Sequence, residues 1–236
     1  MDLANETFDA TYIYNFSGRA KRIASKMSAI GIKNCKISNP SMPNGCPNHL
    51  RAHYYIKDII RDMKENKYEK VNIIADVLLS HNKIGDLFGY LIPSLTQNWD
   101  IIQYSSADHR YRNLNLPFNW EFYLKLHDDI NTDFDESSAK CHWDTVGMNS
   151  GRIPGFIITS TESNNTLAFA ISSNIVSKIE QRMEHILGMD VEKSKKIGIL
   201  DIKCSKIMTV PNLFILPNTG NAVCKSLKWY KPNYSN

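Results

Sequence analysis

A single carboxylate, Asp76, occupies a position in the chain where α/β proteins often place chemistry. It follows Val71–Ile74, a β-prone and mostly apolar run that is typical of a buried strand in a parallel sheet, and it precedes the apolar residues Val77–Leu79. Ligands of open α/β sheets bind at the carboxyl ends of the strands, so Asp76 is a candidate site residue. The alternative interpretation is that its side chain caps a turn or the next helix.

A second group of residues that could carry chemistry is Cys46, His49 and His53, which follow the pattern C-x₂-H-x₃-H. The two histidines lie one helical turn apart, so their side chains could share a zinc ion. A closed zinc site needs a fourth ligand, however, and no second Cys/His pair is spaced to supply one. The pattern therefore favours histidines that pack against the domain or cap a helix.

The acidic segment 127–136 is a third candidate. Asp133 and Asp135 form a D-x-D pair of the kind that holds a divalent cation through oxygen ligands. Such a pair needs a rigid strand end to position it, and no strand is predicted before this run. A solvated acidic face is the favoured interpretation.

Composition narrows the class of protein. The chain has 236 residues, of which 42% are hydrophobic and 22% are charged, as in ordinary globular proteins. The net charge of +4 permits a phosphate-bearing ligand, but no concentrated basic stripe indicates a nucleic-acid partner. No apolar run approaches the roughly 20 residues of a membrane span.

Cysteine usage indicates the compartment. The five cysteines are odd in number and contain no C-x-x-C pair, so a disulfide framework is not expected. The N-terminus has no apolar segment of the kind found in signal peptides. These features predict the cytoplasm or another reducing compartment.

The elements that must position Asp76 alternate between strand and helix, which predicts an α/β domain. Gly31 is predicted to end the first helix, and Ser172 or Ser173 is predicted to cap the last long one. Residues 105–150 lack clear periodicity, which is typical of a functional loop or lid. The predicted strands are 11–16, 35–37, 71–74, 99–104, 155–159, 166–171, 207–210 and 213–216, and the predicted helices are 19–30, 49–65, 84–95 and 173–187.

With these elements in place, the chain resembles the glycosyltransferase 25 family, which includes lipopolysaccharide and collagen galactosyltransferases. In that family an Ile-Asn-Leu strand, an Arg and a helix ending in Leu-Gly-Ile open the chain, and Gly-Cys-x-x-Ser-His-Leu follows. The acidic motif Ile-Leu-Glu-Asp-Asp-Val, then Asp-Trp-Asp-Leu-Leu, Ala-Tyr-Leu-Ile-Ser and Pro-Pro-Leu come later. The corresponding residues here are Tyr14–Phe16, Arg22, Ile30–Ile32, Gly45–Leu50, Ile73–Leu79, Asn98–Ile102, Leu167–Ile171 and Pro211–Leu213. The segment Gly45–Leu50 is one residue short of the family pattern and lacks its Ser.

The resemblance implies a single domain over residues 1–236 with a GT-A-type fold, a Rossmann-like mixed sheet flanked by helices, and an irregular insert or lid at about 105–150. It implies transfer of a hexose from a nucleotide-sugar, a UDP-sugar, to a hydroxyl of a glycan or protein acceptor. Asn15, Arg22, His49 and Asp76 would contact the donor, and Asp76 would hold Mn²⁺ or Mg²⁺. That cation would stabilise the leaving nucleoside diphosphate as a Lewis acid.

The chain also departs from the family. The Glu-Asp-Asp motif is replaced by Ile74-Ala75-Asp76, so two of three carboxylates are absent. Mg²⁺ often uses one or two carboxylates, which keeps Asp76 a candidate ligand. The loss equally suits a metal-independent enzyme, or an inactive relative that kept the fold as a binding protein.

The general base that the resemblance implies falls at Asp190 or Asp201. Spacing to Pro211 favours Asp190, whereas the preceding apolar run Ile197–Leu200 favours Asp201. A third interpretation is an unrelated nucleotide-binding α/β protein. Such a protein places its ligand at a glycine-rich loop, and the sequence contains neither G-x-G-x-x-G nor a P-loop.

Overall fold

A computed structural model of the chain describes residues 7–81, 83–95, 98–104, 116–150, 152–160, 165–210, 213–215 and 234–235. Within these ranges ten strands form two sheets. The strands are β1 (Ala10–Tyr14), β2 (Cys35–Ser38), β3 (Lys70–Ala75), β4 (Leu79–His81), β5 (Ile101–Gln103), β6 (Ile157–Ser160), β7 (Ala168–Ser172), β8 (Lys206–Val210), β9 (Phe214–Ile215) and β10 (Tyr234–Ser235).

The main sheet is mixed and has seven strands in the order β2-β1-β3-β7-β5-β8-β6. Strand β1 runs parallel to both β2 and β3, whereas β7 runs antiparallel between β3 and β5. β8 is again parallel to β5, and β6 closes the far edge antiparallel to β8. The small sheet places β4 between β9 and β10. This arrangement confirms the predicted α/β class with a mixed sheet flanked by helices.

Seven α-helices accompany the strands in the described ranges. Gly31 follows the C-cap of the first helix with a φ of 87°, a left-handed conformation that glycine adopts without strain, so the predicted helix end is confirmed. The helices are α1 (Ala20–Ala29), α2 (Asn48–Asn66), α3 (Ile84–Ser94), α4 (Trp120–Leu126), α5 (Glu136–His142), α6 (Val176–Leu187) and α7 (Val191–Ser194). None of the helices in these ranges is both long and apolar enough to cross a bilayer.

The start of α6 differs from the predicted serine cap. Residues Ser173–Ile175 form a 3₁₀ turn that leads into the helix, and neither Ser172 nor Ile175, which precede the turn and the helix, makes a side-chain capping bond. The backbone N–H of Ser173 donates instead to the carbonyl of Glu69, at 2.6 Å. The turn therefore anchors the end of β7 to the chain entering β3.

The core is centred on β3. Val71, Ile73, Ile74 and Ala75 are completely buried, because β3 lies inside the sheet with both faces covered. The strand nevertheless contains one polar residue, Asn72, which is also buried.

A chain of buried hydrogen bonds satisfies Asn72. Its Nδ2 donates to Thr11 Oγ1 on β1 at 3.2 Å, and its Oδ1 accepts from the hydroxyl of Tyr104, just after β5. We call these three residues, Thr11, Asn72 and Tyr104, the polar relay. The relay links three strands of the sheet through side chains alone.

The described part of the expected irregular segment, residues 116–150, contains α4, α5 and a π-helical turn over Trp143–Gly147. Tyr123, Leu124, Ile130 and Ala139 form a small hydrophobic cluster of their own there. Residues 105–115 lie outside the described ranges, and the lid function stays a prediction.

The acidic run within this segment is exposed. Asp128 pairs with Lys83, Asp129 pairs with both terminal nitrogens of Arg152, and Asp135 caps α5 by accepting from the Ser138 N–H at 2.8 Å. These pairings match the solvated-face interpretation of the acidic segment.

Two fully buried tyrosines test the polar relay. Tyr104→Phe leaves the Asn72 carbonyl oxygen without its donor, so we expect a loss of about 1–2 kcal/mol in the free energy of unfolding. Tyr14 is equally buried, but its hydroxyl has no hydrogen-bond partner within the described structure. Tyr14→Phe should therefore leave stability unchanged or raise it. Denaturant unfolding of both variants measures the difference, and equal effects would contradict the role of the relay.

His127 should make stability fall in mild acid. Burial lowers its pKa from 6.5 to about 4, so the folded protein keeps the ring neutral while the unfolded chain takes up a proton. Its stabilising contribution is complete above pH 6.5 and is lost as the pH falls towards 4, by roughly 3 kcal/mol. Urea unfolding at several pH values checks this. His127→Gln should flatten the dependence in that window, and an unchanged slope would exclude His127 as its source.

Candidate functional site

The parallel half of the main sheet has a topological switch at β1. The chain passes from β1 through α1 to β2 on one side, and then returns through α2 to β3 on the other side. The carboxyl ends of β1 and β3 therefore flank the crevice in which open α/β sheets bind ligands. The loop Asn15–Arg19, residue Asp76 and the first turns of α2 meet at this edge.

Asp76 is the centre of this edge. Its Oδ1 accepts from the backbone N–H groups of Phe16 and Ser17 at 3.0 and 3.1 Å, and its Oδ2 accepts from Ser17 and Arg19 at 3.0 and 2.9 Å. The side chain is 0% exposed. Arg19 is the N-cap residue of α1, so the carboxylate binds the amides that lead into that helix.

These contacts give Asp76 a capping role, at the loop before α1 rather than at the next helix along the chain. Both oxygens are occupied by amide donors, and the burial leaves no open side for further ligands. A divalent cation needs several oxygen ligands around it. No group of three His, Cys, Asp or Glu side chains in the described ranges could hold an ion. The edge as built does not fit Mn²⁺ or Mg²⁺ at Asp76, and we assign no step to a cation.

Aromatic side chains cover the same loop. The rings of Phe16 and Tyr55 meet edge to face with centroids 4.7 Å apart, and Tyr14 lies 4.8 Å from Tyr55. The Tyr55 hydroxyl donates to the carbonyl of Asn15 at 2.8 Å. Burial raises the pKa of Tyr55, and the nearby Asp76 raises it further against the opposing effect of Arg51, so the phenol stays a neutral donor.

Arg51 brings a positive charge to this edge. Its guanidinium lies over the Phe16 ring, 5.6 Å from the centroid, a cation–π arrangement that restrains the side chain. Within the described part of the chain no carboxylate forms an ion pair with it. Arg19 adds a second guanidinium, whose Nε donates to Ser17 Oγ at 3.0 Å.

The predicted donor-contacting residues are distributed around this edge. Asn15 lies in the loop itself, and its carbonyl is bound by Tyr55. Arg22 is exposed on α1, one turn into the helix from Arg19. His49 lies in the first turn of α2, where its Nε2 is 2.9 Å from Ser194 Oγ of α7.

Cys46, His49 and His53 do not form a metal cluster in the structure. The Cys46 thiol contacts the carbonyl of Pro47 at 3.7 Å. His53 is 5% exposed, its ring nitrogens have no hydrogen-bond partner among the described residues, and burial lowers its pKa. These positions match packing and capping histidines.

The two candidate bases lie in different places. Asp190 caps α7 by accepting from the Glu192 N–H at 2.9 Å, and α7 reaches the start of α2 through the contact between Ser194 and His49. Asp201 pairs with Arg182 at 3.4 Å on the flank of α6. Helix α7, which Asp190 caps, therefore contacts the first turn of α2, whereas Asp201 lies beside α6, and the role of each stays a prediction.

Sequence reasoning missed Arg51 and Tyr55. Tyr55 is buried, whereas its neighbour Tyr54 on α2 is only partly buried. The spacing of Arg51 and Tyr55, one helical turn apart, was the available signal, because it places both side chains on one face.

Comparisons with known proteins give limited similarity. No family model matches the chain, and no curated protein sequence matches it. One solved structure with a partly similar fold is a glycosyltransferase involved in the glycosylation of the major capsid of PBCV-1. It has 7% sequence identity and a TM-score of 0.41, and the match covers 74% of this chain and 65% of that chain. A likeness of this degree does not bear on activity or on site residues.

Asp76 should be essential for stability. Asp76→Ala removes the acceptor of the Phe16, Ser17 and Arg19 N–H groups and opens a gap at a fully buried position, and we expect a loss of about 3–5 kcal/mol in the free energy of unfolding. Asp76→Asn keeps one carbonyl oxygen and should lose less. The matched control is Asp190→Ala, which removes an exposed cap of one N–H and should cost about 1 kcal/mol or less. Chemical denaturation compares the three, and a small effect of Asp76→Ala would exclude the capping role.

Proposed function

We propose that the chain binds a nucleotide-sugar, a UDP-sugar, at the carboxyl ends of β1 and β3 and transfers the sugar to a hydroxyl of a glycan or protein. The observation that carries this proposal is Arg51. Its guanidinium lies over the Phe16 ring beside the loop that Asp76 binds, and no carboxylate of the described residues forms an ion pair with it. In this proposal the arginine side chain, rather than a metal ion, faces the diphosphate.

The chemistry of the edge suits a nucleoside diphosphate. A guanidinium presents a planar set of donors that matches phosphate oxygens, and it keeps its charge at all relevant pH values. The partly exposed Phe16 ring offers a face for a base or sugar ring. Because Arg51 is already held by the ring and by α2, little reorganisation is needed when charge develops on the leaving diphosphate.

The proposed reaction is a single displacement. The acceptor hydroxyl gives its proton to a carboxylate and attacks the anomeric carbon, while the bond to the nucleoside diphosphate breaks and its electron pair leaves with the diphosphate. We assign the proton-accepting role to Asp190. The contact of α7 with His49 supports this assignment over Asp201, which is paired with Arg182 on another flank.

A second candidate is a binding protein that retains the donor pocket without turnover. The full engagement of Asp76 by backbone amides favours it, because the carboxylate at this edge is committed to structure. The two candidates share the ligand and differ in catalysis.

Titration calorimetry with UDP and UDP-sugars tests the shared part. We expect binding that does not change between Mn²⁺ and chelator, and that weakens roughly tenfold or more in Arg51→Gln, as expected for a lost charged hydrogen bond. Arg61→Gln is the matched control, because Arg61 is exposed on the same helix and pairs with Asp58. Absence of binding in the wild type would overturn both candidates. Binding that requires Mn²⁺ would contradict a donor site that works without a metal ion.

Release of UDP in the presence of hydroxyl acceptors tests catalysis. Turnover that persists in chelator and falls in Asp190→Asn, with donor affinity retained, supports the transferase. Donor binding without turnover in any condition supports the binding protein. A loss in Asp201→Asn with Asp190→Asn unaffected would reverse the assignment of the base.

A further inference from the structure

The outer side of α6 carries a basic concavity remote in sequence from the β1–β3 edge. Its volume is about 520 Å³, and it is shallow and open to solvent. We call it the α6 pocket. Its lining consists of Lys178, Gln181, Arg182, His185, Ile202 and Lys203.

The helix separates its charges between two faces. Lys178, Arg182 and His185 are three or four residues apart, so they share one face of α6. Glu180 lies on another face, where it pairs with Lys64 of α2. Glu184, the second acid of the helix, lies one turn after Glu180 and shares that face, so the basic side chains of α6 collect in the pocket.

Weak contacts hold the cationic groups of the pocket in place. Arg182 Nε donates to the carbonyl of Gly198 at 3.4 Å, and Lys178 Nζ donates to the carbonyl of Lys203, also at 3.4 Å. These carbonyls orient the side chains without neutralising them. Most donors of the guanidinium and of the ammonium groups remain available for a ligand.

Acidic groups near the pocket do not balance this charge. Asp201 is 3.4 Å from Arg182, and its side chain is 62% exposed, so the ion pair is long and screened by solvent. Asp100 accepts the N–H of Ser205 at 2.9 Å and is committed to that turn. Lys178, Arg182 and Lys203 therefore leave the concavity with an excess of positive charge.

We propose that the α6 pocket binds the phosphate group of a small phosphorylated ligand. The excess positive charge of this shallow surface attracts an anion. A guanidinium flanked by two ammonium groups is the donor set that a phosphate with several charged oxygens uses best. Ile202 adds an apolar surface for the part of the ligand that carries the phosphate.

Calorimetric titration of the full chain with inorganic pyrophosphate, at constant ionic strength, tests the proposal. We expect saturable binding that weakens roughly tenfold in Arg182→Gln, as expected when a charged hydrogen bond is lost. Lys178→Gln should weaken binding in the same direction, and because Lys178 is exposed, this second variant guards against a folding defect at Arg182. Lys57→Gln removes an exposed lysine of α2 and is the charge-matched control.

The site is distinguished from the β1–β3 edge by Arg51→Gln. Pyrophosphate binding at the α6 pocket should keep its affinity in that variant and should weaken roughly tenfold in Arg182→Gln. The proposal would be overturned if Arg51→Gln weakened pyrophosphate binding and Arg182→Gln did not. Equal weakening by Lys57→Gln, or no saturable binding, would also overturn it. A glucose phosphate that binds more tightly than inorganic phosphate would assign the pocket to a phosphorylated sugar, and equal affinities would assign it to the free anion.

Discussion

The geometry of the candidate site depends on the contact between one buried carboxylate and three backbone amides. Asp76 leaves β3, and its own N–H donates to the carbonyl of Tyr14 at the end of β1, at 3.1 Å. Its side chain then binds the loop that continues from β1 into α1. Burying a charge without partners is costly, so this arrangement is stable only because every oxygen finds donors and because the start of α1 favours negative charge. The two strand ends and the helix are consequently fixed relative to one another.

That use of the acid changes which residues are available for chemistry. A carboxylate saturated by amides contributes rigidity, and recognition of a ligand passes to groups that the rigid loop supports. Phe16 and Arg51 are such groups, since the loop positions the ring and the ring positions the guanidinium. Basic side chains oriented by carbonyls recur in the α6 pocket. In both places positive charge is held by weak contacts with an aromatic ring or a carbonyl.

The sequence predicts much of the fold because local signals determine it. The apolar run of β3, the helical spacing in α1 and the glycine that ends that helix act over a few residues, and each was predicted. The position of Asp76 at a strand end was also predictable. The partners of its side chain were not, because they lie about sixty residues earlier in the chain and are backbone groups that any residue type would supply.

The same limit applies to the rest of the candidate site. The contact of His49 with Ser194 joins residues 145 positions apart, and no pattern in either segment indicates it. Within residues 116–150 the helices are short, about seven residues each, so their periodicity is too brief to recognise. The serine residues before α6 predict a helix cap. In the structure the Ser173 N–H donates instead to the carbonyl of Glu69, a tertiary contact that local sequence does not indicate.

The polar relay has a further consequence for how the strands find their alignment. The side chains of β1 and β3 are mostly apolar and buried, so sliding one strand past the other would still bury hydrocarbon. Asn72 excludes such a shift of register. Its side-chain amide hydrogen-bonds to both Thr11 and Tyr104 only when Thr11 lies opposite Asn72, as in the observed pairing. A shift of one residue would turn the amide away from both partners and leave it unsatisfied in the interior. The polar relay therefore favours one register of β1 and β3 among several that burial of apolar side chains alone would allow.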